Sequence, residues 1–228
     1  MKKAFLALSV LAVIIAFTAC KKTNSTPANT ANVMFVNGCA GTNNVDVSVN
    51  NAKLTSASNL AFLKNSGYQS VTSGTAVPVA FSLTATGTPL INATESLTTN
   101  AHYSVFAGGL VSGTSTSLVF SADDLTAPAS GMAKVRFVNL SSDNLNVSCY
   151  VGTPKIDSNV SLGTVTPFFS ITAATGVNVL FQDPAFPTKL AQLATQNFSS
   201  GKIYTIMLTG TYTGSLTSVL TLTVINNN

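Results

Sequence analysis

The chain has 228 residues, of which 46% are hydrophobic and only 8% charged, with a formal net charge of +4. That length accommodates two domains of roughly 100 residues each, and the wealth of valine, threonine and phenylalanine favours strands over helices. Four of the eleven basic residues (Lys2, Lys3, Lys21 and Lys22) lie at the N-terminus, so seven basic residues face seven acidic ones from Thr23 onward. A phosphate-binding surface needs a concentrated positive field, and a neutral body excludes nucleic acid as the expected partner.

The first element in chain order is MKKAFLALSVLAVIIAFTACKK. Lys2 and Lys3 form a positive start, Ala4 to Phe17 an apolar run, and the small pair Thr18-Ala19 leads to Cys20. The run is shorter than the roughly 20 residues that span a bilayer, so residues 1–19 are expected to be a signal peptide. A signal that ends on cysteine resembles the lipobox of bacterial lipoproteins, although Phe17 stands where leucine is usual. The resemblance implies acylation of the Cys20 thiol, with Cys20 as the first mature residue. The alternative is an ordinary signal followed by an incidental cysteine. Each buried acyl methylene contributes about 0.8 kcal/mol, so several chains would hold the protein at the membrane. Residues 20–31 then form the lipidated cysteine and a flexible polar tether. The expected location is the bacterial cell envelope, lipid-anchored in the outer membrane, with the leaflet left open.

Beyond the tether the chain repeats itself. Val33, Phe35, Val36 and Asn37 recur 102 residues later as Val135, Phe137, Val138 and Asn139. Val45, Val47 and Val49 likewise match Val147, Cys149 and Val151, while Tyr103 and Gly109 match Tyr204 and Gly210. A period near 100 residues denotes tandem domains, since solenoid repeats are much shorter. The expected boundaries are 32–122 for the first domain, 123–133 for a linker and 134–228 for the second.

Within each copy the pattern has period two. In NVDVSVN the valines alternate with Asp46 and Ser48; in NVSCYVG, Val147, Cys149 and Val151 point inward, with Ser148 and Tyr150 outward. Short stretches of this kind, punctuated by Gly, Asn, Ser and Pro, predict about seven strands per copy. Tyr103 and Tyr204 each follow a turn and open an apolar strand, so each hydroxyl is expected to bond a nearby backbone group. The fold class is therefore all-β: two tandem immunoglobulin-like β-sandwich domains after a lipoprotein signal peptide.

The stretch KVRFVNLSSDNLNVSCYVG also resembles the opening of domain-of-unknown-function family 4397. Val135 to Asn139, Ser141, Asp143, Val147, Tyr150 and Val151 carry the likeness, while Ser142, Ser148 and Cys149 depart from it. In the first copy Asp46 matches the family aspartate. The resemblance implies a secreted or lipid-anchored β domain and brings no biochemical activity with it.

The chemical inventory is thin. His102 is the single histidine and aligns with Ile203, which points to a structural place on a strand. Spacing that would assemble a catalytic group, a metal site or a cofactor cradle is missing, so none of the three is expected. Asp123-Asp124 in the linker is either a solvated polar pair or a contributor to a calcium shell. Cys39 lies in a loop of the first domain and Cys149 faces the expected core of the second, so a disulfide between them is disfavoured and burial as a small hydrophobe suits Cys149 better. Phe186 in FQDPAFPTK is the candidate ligand-binding residue, an aromatic in a loop where strand periodicity does not bury it. The reading is a non-enzymatic structural or adhesive module, the alternative a glycan- or peptide-binding accessory lipoprotein. Its partners would be the membrane, through acyl chains on Cys20, and an extracellular or periplasmic glycan or protein.

Overall fold

The structure, a computed structural model, describes residues 29–111, 116–143, 146–185, 190–212 and 219–228. Cys20 and Phe186 lie outside the described residues. The described chain is all-β apart from one helical turn at Thr55–Ala57. Its first strands are β1 (Thr30–Asn37), β2 (Asn44–Val49), β3 (Ala52–Lys53), β4 (Leu60–Ala61), β5 (Asn65–Thr72), β6 (Gly74–Leu83), β7 (Pro89–Leu97), β8 (His102–Gly108) and β9 (Ser117–Ala122). Then follow β10 (Met132–Ser141), β11 (Val147–Val151), β12 (Lys155–Val160), β13 (Phe169–Thr172), β14 (Ala174–Gln182), β15 (Leu190–Phe198), β16 (Ile203–Gly210) and β17 (Thr221–Asn226).

Four sheets result. Residues 30–122 form β5-β1-β8-β9 and β3-β2-β6-β7, with β4 also paired to β2. Residues 132–226 form β13-β10-β16-β17 and β12-β11-β14-β15. Two pairs are parallel, β1 with β8 and β10 with β16, and each occupies the centre of its sheet. Their registers correspond: Val33 lies opposite Tyr103 as Val135 lies opposite Tyr204.

The alternating residues build two cores. Val33, Phe35 and Val105 pack on Val47, Val79 and Phe81 in the first. Phe137, Ile206, Cys149, Val179 and Phe181 share the second. Phe35 meets Phe81 edge-on with ring centroids 6.2 Å apart, and Phe137 meets Phe181 likewise at 5.5 Å. Aromatic pairs of this geometry add about 0.5–1.5 kcal/mol to the burial of their area.

The repeated asparagine has the same task twice. Asn37 Nδ2 donates to Leu60 O at 3.1 Å, and its Oδ1 accepts from Thr42 Oγ1. Asn139 Nδ2 donates to Val160 O at 2.9 Å, and its Oδ1 accepts from the Ser141 N–H and hydroxyl. Both amides are fully buried, so each ties a strand end to the facing sheet while satisfying its own polar atoms. The two tyrosines meet their expectation: Tyr103 Oη accepts from Thr98 N–H at 3.0 Å, and Tyr204 Oη from Ser199 N–H at 3.1 Å.

The period-two pattern does not describe β8 and β16. Every residue of β16 is buried, and only His102 in β8 is not. The reason is a third core in which Met34, Val36 and Phe106 of one central sheet meet Val138, Leu140 and Met207 of the other. The two central sheets pack back to back, so both faces of their parallel strands are covered, and such strands read as near-continuous apolar runs. Leu140 is the knob of this contact. A Cβ built on Gly38 would lie 2.7 Å from Leu140 Cδ1, and one on Gly108 2.8 Å from Leu140 Cδ2. The repeat is asymmetric just there, with Gly38 standing where the second copy has Leu140.

Two outward assignments change. Asp46 and Ser148 face away from the cores yet are buried. Asp46 is covered because Lys53 and the Asn59 N–H both bond to it.

Candidate functional site

Polar side chains gather in a closed network and at an open loop end, and a cavity of about 400 Å³ lined by Ser121, Asp124, Arg136, Thr166 and Phe168 adjoins the network. The closed network lies at the junction of the central sheets. Arg136 takes the position that Met34 holds in the first copy, and its side chain points away from its own core into the back-to-back contact. Its Nη1 donates to Asp123 Oδ1 at 2.6 Å, its Nη2 to Ser104 Oγ at 2.9 Å and its Nε to Thr205 Oγ1 at 2.8 Å. Tyr68 Oη and Ser104 Oγ donate to Asp123 Oδ2, at 2.5 and 2.6 Å. The guanidinium also lies 4.5 Å over the Phe168 ring. Both ionic side chains are withdrawn from water, Arg136 at 1% exposure and Asp123 at 0%. Burial, joined by the Asp123 charge, pushes the Tyr68 phenol well above its ordinary pKa.

This corrects the reading of Asp123 as half of a solvated pair, whereas Asp124, at 62% exposure, is solvated as expected. Asp123 is sealed in the junction, and Asp124 pairs with Lys134 at 2.9 Å. Hydrogen bonds from Thr126 and from Lys134 hold the Asp124 carboxyl far below the usual carboxylate range. Each carboxylate already has its cation. Among the described residues no cluster of three or more His, Cys, Asp or Glu side chains is placed to hold a metal ion.

The open place is the loop end of the first two sheets. After Asn37 the chain turns through residues 38–43, where Ala40 makes a parallel bridge to Leu110. Ala40 N–H donates to Gly109 O at 2.8 Å, Val111 N–H to Ala40 O at 2.9 Å, and Thr42 Oγ1 to Cys39 O at 2.7 Å. Gly41 has φ +81°, and a Cβ there would sit 2.9 Å from Val111 Cγ1, so glycine is required on both counts.

This stiffened segment separates two cavities. One, of about 300 Å³, is lined by Asn44, Asn59, Leu83, Thr86 and Val111. The other, of about 600 Å³, is lined by Thr42, Asn43, Phe62, Leu63 and Thr221. Both volumes fall in the range of small-ligand sites. Thr221 belongs to β17, so the larger cleft draws on both halves of the chain. Among the described residues no charged side chain lines either cavity.

At the smaller cavity two amides are hydrogen-bonded to each other. Asn44 Nδ2 donates to Asn59 Oδ1 at 2.7 Å. Asn59 has φ +55° and is anchored by its backbone N–H to Asp46 Oδ1 at 2.8 Å. Asp46 in turn accepts from Lys53 Nζ at 2.7 Å. Burial alone would raise the Asp46 pKa, but the bonds from Lys53 and the Asn59 N–H outweigh it and hold the carboxyl below its ordinary value.

The remaining sequence candidates are dispersed. His102 begins β8 and packs edge-on against Tyr68, ring centroids 5.2 Å apart. Cys39 and Cys149 are free thiols in different cores, and burial pushes the Cys39 thiol up to about 12 and Cys149 higher still. Phe186 lies outside the described residues; just before it, Ala185 N–H caps Asp183 Oδ1 at 2.8 Å. Sequence reasoning missed both the Arg136 junction and the asparagine pair. Arg136 was legible as a charge inside an apolar repeat whose other copy carries Met34. Asn44 and Asn59 gave no signal, because asparagine is common in this chain's turns.

The family model for a domain of unknown function (DUF4397) matches residues 31–150. The match begins in β1 and ends in β11, so it takes in both copies of the repeated phrase. No curated protein matches the sequence. Among solved structures, a "putative cell adhesion protein" from Bacteroides uniformis shares 12% identity, covering 88% of this chain and 100% of that one, with a TM-score of 0.27. A family-26 carbohydrate-binding module of Eubacterium rectale Amy13K, in complex with maltoheptaose, shares 11% identity over 87% of this chain and 97% of that one, with a TM-score of 0.26. Both TM-scores are too low for either likeness to carry an argument.

Proposed function

The chain belongs to the DUF4397 family, and on that premise we propose that it is a lipid-anchored protein of the bacterial envelope, a non-enzymatic structural or adhesive module of two tandem immunoglobulin-like sandwiches. The observation that supports this reading is the back-to-back junction. Eight buried apolar residues and the Arg136–Asp123 pair lie where the two halves meet, a contact that suits a stiff body. A stiff spacer on an acylated Cys20 suits presentation of a surface to a partner. The reading as a non-enzyme draws on the same chemistry: three carboxylates are engaged by cations and both thiols are buried. The central parallel pairs distinguish these sandwiches from the all-antiparallel sheets of antibody domains.

The test is cellular. Metabolic labelling with a palmitate analogue should mark the native protein, and Cys20→Ser should abolish the label and release the chain from membranes. Protease accessibility on intact cells, with lysed cells as control, then assigns the face. A chain that carries no label and fractionates as freely soluble overturns the anchored reading.

A second reading, a glycan- or peptide-binding accessory lipoprotein, is favoured by one specific observation. The loop end carries two adjoining cavities of ligand size lined by uncharged groups. On this reading the ligand site lies beside the 41–44 segment, and Phe186 is a separate candidate.

A further inference from the structure

We propose that the cavity lined by Asn44, Asn59, Leu83, Thr86 and Val111 is a binding site for a neutral glycan. This rests on the second reading above and names its ligand class. Hydroxyl recognition needs a donor and an acceptor held at fixed spacing beside an apolar surface, and the site supplies all three. The bond from Asn44 Nδ2 to Asn59 Oδ1, at 2.7 Å, uses one N–H of the first amide and one lone pair of the second. Asn59 Nδ2 is left to donate and Asn44 Oδ1 to accept, and together they match two neighbouring sugar hydroxyls.

The backbone that carries Asn59 is held before any ligand arrives. Asn59 is pinned through its N–H to Asp46, and Asp46 is pinned by Lys53. Asn44 opens β2, where it pairs with Ala61. Amides that need no ordering on binding lose little entropy, so their hydrogen bonds contribute more of their strength to affinity. Leu83, Ala85 and Val111 form the apolar wall, against which the C–H face of a sugar ring can lie.

The lining also selects. Among the described residues no ammonium or guanidinium lines the cavity, so a sulfate, a uronate or a peptide C-terminus would gain no ion pair there. No carboxylate among the described residues lines it either, so an amino sugar or a basic peptide would gain no ion pair. The lining favours an uncharged ligand, and a donor and an acceptor beside an apolar wall suit a sugar. The cavity volume of about 300 Å³ limits the bound portion to one or two rings.

The experiment uses the whole mature chain on a printed panel of neutral, acidic and amino oligosaccharides, with titration calorimetry on the hits. Asn59→Gly is the informative variant, because glycine accepts φ +55° and only the amide is removed. Neutral oligosaccharides should bind, and Asn59→Gly and Asn44→Ala should each weaken binding about tenfold without lowering the melting temperature of the Asn59→Gly chain. Binding confined to charged sugars overturns the proposal, as does an empty panel. Neutral binding that survives Asn59→Gly overturns this site yet leaves the glycan-binding reading intact. An empty panel together with retained binding of the chain to envelope proteins refutes the glycan class and leaves the adhesive reading standing.

Discussion

Arg136 Nη1 lies 2.6 Å from Asp123 Oδ1 with both side chains out of reach of water. The two residues come from either side of the segment that connects the halves of the chain, so folding that segment back is what brings them together. Removing one partner of such a pair costs about 3–5 kcal/mol, because the other charge stays buried without compensation. Arg136→Met restores the residue that the first copy carries and should be strongly destabilising in chemical denaturation. Asp123→Leu added to it should recover most of the loss. A double variant no more stable than Arg136→Met would show that the pair is not the source of the effect.

The fit of Leu140 against Gly38 and Gly108 predicts a steric failure with a specific remedy. Gly108→Ala places a methyl 2.8 Å from Leu140, where the sheets cannot separate without opening the third core. Overpacking of this size costs about 1–3 kcal/mol. Leu140→Ala in the Gly108→Ala background should give back part of that loss, whereas Leu140→Ala alone should cost about 2–5 kcal/mol. Additive effects in the thermal melts would refute the contact.

Stability should fall at both ends of the pH scale. The Asp46 pKa is lowered on folding from its ordinary 3.8. Its contribution is therefore present above that value and is lost as pH falls through the lower folded value. The Tyr68 pKa is raised on folding from its ordinary 10.0. That contribution is present below about 10 and is lost as pH rises towards the folded value. Asp46→Asn should flatten the acid limb and Tyr68→Phe the alkaline limb. A denaturation midpoint unchanged between pH 5 and 2 would contradict the acid arm.

Burial determines the thiol chemistry. With the Cys39 thiol pushed up to about 12 and Cys149 higher still, neither presents a thiolate at neutral pH. Native protein should react with a maleimide only as fast as it unfolds, and both thiols should react at once in denaturant. Fast labelling of either one in the native state would place it at the surface.

Composition and periodicity determined the class of this protein. Alternating valines around Asp46 and Cys149 specify strands with one face in a core, and the repeated Val-x-Phe-Val-Asn phrase marks where each half begins. Even the hydroxyl bonds of Tyr103 and Tyr204 follow from local chain order, because each partner lies only five residues away. These features are local or repeated, and so they can be read along the chain.

What only the tertiary structure decided is how the halves meet. β16 alternates Tyr204, Ile206 and Leu208 with Ile203, Thr205, Met207 and Thr209, and period two assigns only the first set to a core. The second face is buried by a sheet from the other half, at a sequence distance no pattern encodes. Asp123 becomes an internal anion because Arg136, Ser104 and Tyr68 converge on it in space. Asn44 and Asn59 become a fixed pair because Asp46 and Lys53 hold the intervening turn. Such convergence depends on packing between distant segments, and the free energy that selects it is spread over all of them.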